Sequence, residues 1–342
     1  MEHLHHFQLS DDPFRNEPLL KLYFEGQPHQ GALQRLERAV RQGKGLCVLT
    51  GETGSGKTMV VRRLLENLEE EVFEASMMVV LDGAADASWM LKRFVRQLGV
   101  EDPAPEREGI IAQIYDQLAI VRENGRQPVL IIDDAQALAK RGALAEVCSL
   151  LKLEYEDRRL LTLVLAGPAM LDQALSADPS LAHRIDVRVE LEPFSPEAAA
   201  GYLAHRISQV GGDPSLIDSG AVAALHECGR GYPGLMNTLA DNALFEAFIC
   251  GRTQMTRVDV ERAHRDLGWV DVAAGASPPN AEILPQAAAD PALQQTLGEL
   301  DPELASMVTA AHVVGGAPVP VTGPPKVEEA EPEDLLVELI ED

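Results

Sequence analysis

Residues 51–58 form an eight-residue loop between an apolar strand and a helix, and no other segment constrains the fold as tightly. The preceding run, Leu46–Thr50 (LCVLT), is short and almost wholly apolar, as a buried strand is. Gly51, Glu52, Thr53, Gly54, Ser55, Gly56, Lys57 and Thr58 follow it. A helix is then predicted over about 57–70, with Val60, Val61, Leu64, Leu65 and Leu68 at helical spacing. The eight residues fit the phosphate-binding pattern G-x-x-x-x-G-K-[ST]. Its glycines let the backbone turn so that N–H groups face phosphate oxygens, and the helix N-terminus adds its positive dipole end. In this pattern Lys57 reaches the β- and γ-phosphates of ATP, and Thr58 holds Mg²⁺ through its hydroxyl. A chance glycine-rich turn requires neither the strand before nor the helix after, and this chain has both.

A second motif matches the first. Residues 129–138 read VLIIDDAQAL, a buried strand ending in two carboxylates. Asp133 is the expected metal-shell residue, and Asp134 takes the position that polarises the attacking water. An Asp at a strand–helix turn can also simply cap a helix, and that reading competes more strongly for Asp134 than for Asp133.

The rest of the chain fits around this pair. Residues 1–30 read as irregular, with Pro13, Pro18 and Pro28. Residues 31–42 carry Leu33, Leu36, Ala39 and Val40 on one helix face. Further strands are predicted at 77–81, ending at Asp82, at 160–165 and within 181–192. Further helices are predicted at about 87–98, 109–123 and 141–156. Apolar strands alternating with helices predict an α/β fold, a parallel sheet covered on both faces. After Pro193 the pattern turns purely helical, over about 196–210, 218–229, 233–250 and 256–267. The predicted organisation is thus a nucleotide-binding αβα domain at 1–193 and a helical lid domain at 194–270. A Pro/Ala-rich acidic linker and tail, mostly disordered by composition, is predicted at 271–342.

The net charge is −25, and about half of it lies between Asp271 and Asp342, where fourteen acidic residues face one lysine. Such a balance repels phosphate backbones, so nucleic acid is not an expected partner. The last residues, 326–342, are acidic with an apolar cluster of Leu335, Leu336, Val337, Leu339 and Ile340. They read either as a solubilising tail or as a partner-docking motif that folds on binding. The four cysteines are widely spaced and form no CxxC pair, as expected of free thiols in a reducing compartment. With no run of about 18 apolar residues and no signal-like leader, a cytoplasmic location is expected. His3, His5 and His6 read as solvated terminal residues rather than a metal cluster.

In order along the chain, Asp12–Phe14 (DPF), Pro28-His29-Gln30, LTGETGSGKT, LIIDDAQAL, LAGPAML at 165–171, residues 181–207 and GYPGLMNTLADNALFEAF at 231–248 resemble the ExeA/GspA group of AAA+ ATPases. The resemblance covers about residues 7–268 and implies an AAA+ αβα domain followed by a helical lid. It implies an ATPase that powers or assists assembly of a secretion or cell-envelope machine, acting as a homo-oligomer. It also implies Arg184 as the arginine finger reaching a neighbouring subunit's γ-phosphate, with Arg188 as the rival. Related TniB- and MuB-type ATPases assist transposases on DNA, so a DNA-associated role is the alternative, as is a nucleotide-dependent scaffold docking through the tail. Three positions depart from the group's pattern. Asp134 stands where the group has Glu, Gly167 where it has a polar side chain, and Gly234 where its lid presents an Arg; Arg230 is the displaced substitute. Each change removes an electrostatic group, and single losses of this kind cost about 10²-fold or more in rate. The expectation is retained nucleotide binding with slow hydrolysis.

Overall fold

A computed structural model describes residues 2–80 and 87–269, with backbone alone at 140 and 141. These residues lie within one compact unit, Met1–Asp271. The readings of Asp82, of the 271–342 tail and of its docking motif fall outside the described residues.

Five parallel strands form the central sheet: β1 (Leu46–Thr50), β2 (Phe73–Val79), β3 (Gln127–Asp133), β4 (Thr162–Gly167) and β5 (Ile185–Glu190). Their spatial order is β2-β3-β4-β1-β5. The three central strands β1, β3 and β4 are apolar on both faces because both faces are covered. Cys47, Leu49, Val129, Ile131, Val164 and Ala166 point to one side. There they pack on α2 (Gln27–Arg41) and α3 (Lys57–Asn67). Their neighbours Leu46, Val48, Leu130, Ile132, Leu163 and Leu165 point to the other side. That side is covered by α4 (Ala87–Gln97), α5 (Arg107–Glu123), α6 (Ala143–Ser149) and α7 (Ala169–Ala177). Register aligns Thr50 with Gly167 and Val79 with Asp133, so the functional loops leave one carboxyl edge of the sheet.

The helical part comprises α9 (Pro196–Gln209), α10 (Ser219–Gly229), α11 (Pro233–Ile249) and α12 (Arg257–Asp266); the short α8 (Pro179–Ala182) precedes β5. Local chemistry sets its helix starts. Ser195 and Asp218 accept the N–H groups of Ala198 and Ala221, and Thr256 with Asp259 forms a capping box. This part has its own apolar core, and Leu4, Phe7, Leu9 and Phe14 from the N-terminal segment belong to that core. Asp12 Oδ1 accepts the Phe14 N–H at 2.7 Å, which fixes the turn that buries the Phe14 ring. The DPF segment is therefore an anchor on the lid helices.

Three sequence expectations are corrected. The N-terminal thirty residues are not wholly irregular, since α1 (Glu2–His6) and a 3₁₀ turn at Leu20–Leu22 interrupt them and α2 begins at Gln27. The second strand begins earlier, at Phe73, because its pairing runs from Phe73↔Gln127 to Val79↔Asp133. The helix expected at 141–156 stops at Ser149. Glu156 and Asp157 take φ of 50° and 60°, which turns Glu154–Tyr155 back onto Arg158–Arg159 as a small hairpin.

Candidate nucleotide-binding site

The loop after β1 is shaped by two glycines with φ of 79° (Gly54) and 95° (Gly56), a region that side chains rarely enter. Gly56 ends the loop as the N-cap of α3. The N–H groups of Lys57 and Thr58 then fall in the first helical turn, where the helix supplies no acceptor. Underneath, His29 of α2 is 3% exposed and bonds through Nε2 to Ser55 O at 2.8 Å. A Cβ at Gly56 would stand 2.7 Å from that nitrogen, so the loop has the form of a cradle that only glycine permits. Since the carbonyl can only accept, Nε2 carries the proton. Burial lowers the His29 pKa to about 4, so the ring under the loop is neutral.

Two further contacts define the chemistry. Thr58 Oγ1 donates to Asp133 Oδ2 at 2.6 Å, which joins the loop to the end of β3. Asp133 is 2% exposed, and burial raises its pKa despite the Thr58 bond. Lys57 Nζ donates to Gly51 O and Glu52 O, each at 2.9 Å, and burial lowers its pKa. Thr58 and Asp133 offer hard oxygen atoms on adjacent element ends. Such a pair suits Mg²⁺, which takes few protein ligands and completes its shell with water and phosphate oxygens.

Asp134, next in the chain, is exposed and has φ of 54°. It lines a cleft of about 460 Å³ together with Thr53, Gly54, Gly56, Lys57 and Thr58. The opposite wall comes from the helical part. Gly234 N–H donates to Gly54 O at 2.8 Å, and a Cβ at Gly234 would lie 2.9 Å from Gly54 Cα. Glycine at 234 is thus the condition for α11 to touch the loop. Arg230, the displaced substitute, lies over the Tyr232 ring and does not line the cleft.

Arg184 stands outside the cleft, where Nη1 donates to Cys148 O at 3.4 Å. Arg188 is held by α7 through Asp172 at 3.3 Å and Ser176 at 3.2 Å. The predicted residues of the loop and of the β3 end therefore meet at one place, while Arg184 does not join them within this chain.

Sequence reasoning missed Arg206. Its guanidinium is 2% exposed, lines the cleft, and donates to Pro13 O and Arg15 O. It also missed the chain Tyr202–Asn237–Asn16, linked at 2.8 and 3.1 Å. Nothing in a helical sequence marks such residues, since their partners lie 35 to 221 positions away.

A cradle for phosphates joined to a buried carboxylate at the edge of a β2-β3-β4-β1-β5 sheet, with a helical part closing over it, defines a P-loop NTPase fold of the AAA+ class. Residues 40–175 match the AAA domain family. The chain is 30% identical over 267 residues to general secretion pathway protein A of Aeromonas hydrophila, a span covering 77% of this chain and 48% of that protein. The chain thus carries an AAA domain and is similar to general secretion pathway protein A, and it spans about half the length of that curated relative. The fold is also that of CDC6P from Pyrobaculum aerophilum, with a TM-score of 0.59, 17% identity, and coverage of 75% of this chain and 71% of that one. The ORC2 protein of Aeropyrum pernix, solved as ADPNP-ADP complexes, gives a TM-score of 0.56 at 16% identity, with the same coverages. Among the described residues no helix is long and apolar enough to cross a membrane.

Proposed function

We propose that the protein binds ATP with Mg²⁺ and, by slow hydrolysis, switches or drives assembly of a secretion or cell-envelope machine from the cytoplasmic side. The 2.6 Å contact between Thr58 Oγ1 and Asp133 Oδ2, beside Lys57 in the cleft, is the observation that carries this reading. The loop N–H groups and Lys57 bind the phosphates, and Thr58 with Asp133 sets the metal shell. When bound, Mg²⁺ neutralises charge on the β- and γ-phosphate oxygens. Asp134 orients and deprotonates the attacking water. Its carboxylate is one methylene shorter than a glutamate, and residues 167 and 234 bring no side chain, so hydrolysis is slow.

The secretion or envelope role is supported by the likeness to general secretion pathway protein A. We assign Arg184 as the arginine finger toward a second copy of the chain, since its bond within its own chain is a long one to a carbonyl, whereas Arg188 pairs with the Asp172 carboxylate. The domain division at 193/194 is proposed with one exchange, the packing of residues 4–14 among the lid helices.

The test measures Mg-ATP binding with a fluorescent analogue and phosphate release, for wild type and Lys57→Ala. Binding in the wild type alone, with turnover well below one per second and stimulated by oligomerisation, is the expected result. Equal binding by Lys57→Ala sinks the proposal, and ATP-dependent retardation of DNA at low salt would favour the transposition-type alternative instead.

A further inference from the structure

Gln136 sits two residues beyond Asp134, in the 3₁₀ turn Ala135–Gly142 that follows β3. Its Nε2 donates to Asp134 Oδ1 at 3.3 Å. Its Oε1 is buried and has no hydrogen-bond partner among the described residues. The reverse amide orientation would set a carbonyl against a carboxylate, so the bond to Asp134 fixes which end is which. The buried end lies against Gly167 at the carboxyl end of β4, where a Cβ would stand 2.8 Å from Oε1. The missing side chain at 167 and the placement of Gln136 are therefore one feature, because the glycine vacates the space that the Gln136 amide occupies. Gln136 lines the same cleft as Lys57, Thr58 and Asp134.

We propose that Gln136 is the positioning residue for Asp134 and for the attacking water, and that it acts in place of any side chain at the end of β4. One N–H of its amide holds the Asp134 carboxylate, whose short side chain springs from a left-handed backbone position. The second N–H faces the cleft and donates to the water oxygen or to a γ-phosphate oxygen. Asp134 accepts the water proton, the water oxygen bonds to the γ-phosphorus, and the bond to the β,γ-bridging oxygen breaks. No other reactant is needed. The orphaned Oε1, buried beside Gly167, is the cost of this arrangement.

This inference rests on the ATPase reading above, and the experiment separates the two. Mg-ATP binding and steady-state hydrolysis are measured on the full chain for wild type, Gln136→Ala, Gln136→Glu and Gln136→Ala/Gly167→Asn. Gln136→Glu keeps the shape of the side chain but replaces the donor with a second carboxylate. Both single variants are expected to lower kcat about 10²-fold while the analogue's Kd and the KM change less than about threefold. The double variant, which puts an amide on β4 where Gln136 no longer stands, is expected to recover about tenfold. A purely structural Gln136 predicts activity retained in Gln136→Glu and no rescue at 167, and either result overturns the inference. So does a wild type that binds Mg-ATP without turnover, because Gln136 then positions no productive water. A wild type that does not bind Mg-ATP removes the ATPase reading itself, and the inference with it.

Discussion

The sheet-side wall of the cleft presents side chains with chemistry: Lys57, Thr58 and Asp134. The helical wall presents rings and bare backbone, Phe194 and Tyr202 beside Pro233 and Gly234, while its arginine there, Arg206, donates to the Pro13 and Arg15 carbonyls. One wall works by charge and the other by proximity. The Gly234 N–H to Gly54 O bond makes lid position a property of the phosphate loop itself, with no side chain as intermediary. A lid that senses nucleotide through an arginine tolerates gaps, because a long side chain spans them. A lid that senses through backbone contact does not, and small substitutions there should have effects out of proportion to their size.

The contrast can be broken most sharply at Lys57. Lys57→Ala is expected to weaken Mg-ATP binding by about 10²-fold or more, because charge-assisted contacts contribute about 1.5–3 kcal/mol each. Fluorescence anisotropy of an ATP analogue checks this; a loss under threefold would mean that the sheet-side wall does not hold the phosphates. Arg206→Ala is expected to destabilise the fold by about 2–4 kcal/mol, because the buried Pro13 carbonyl and the half-buried Arg15 carbonyl lose their donor. Urea unfolding measures it, and an effect under 0.5 kcal/mol (the usual surface range, about ±0.5) would show that the N-terminal segment holds without this arginine.

His29 gives a pH-dependent test. Its folded pKa of about 4 lies below the ordinary 6.5. Between those values the unfolded chain binds a proton that the folded chain refuses, so stability is present above pH 6.5 and is lost as pH falls toward 4. The difference amounts to roughly 3 kcal/mol. His29→Gln can keep the bond to Ser55 O and removes the titration. The stability gap between wild type and variant should therefore narrow in the acid direction, and a gap independent of pH would refute the neutral buried ring. The smallest effect is expected at Gly234→Ala, about 1–2 kcal/mol of destabilisation from overpacking against Gly54. Faster amide exchange in residues 51–56 should accompany it, and unchanged exchange would separate the lid from the loop.

The phosphate loop, its helix and the β3 carboxylates were legible in the sequence because their chemistry is local. Eight consecutive residues need a strand before and a helix after, and burial on both faces writes each central strand as an apolar run. The lid helices were legible from periodicity to within a residue or two. The hairpin at 154–159 was not, because Glu156 and Asp157 reveal their turn only through positive φ. The role of Phe14 was not, because its burial depends on helices almost two hundred residues later. Gly167 and Gly234 looked like losses when read along the chain. In three dimensions each makes room for a specific neighbour, Gln136 in one case and Gly54 in the other.

The placement of residues 4–14 carries a mechanical consequence. The chain crosses from the helical core to the sheet core between Phe14 and Tyr23, and crosses back between Leu191 and Phe194. Two bodies tied by two covalent straps cannot swing like a ball on a string. They turn about the line through the two attachments, as a door turns on a pair of hinges. Any rotation that nucleotide imposes on the helical part thus has a preset axis, and displacement delivered to whatever rests on α11 comes with a direction as well as a size.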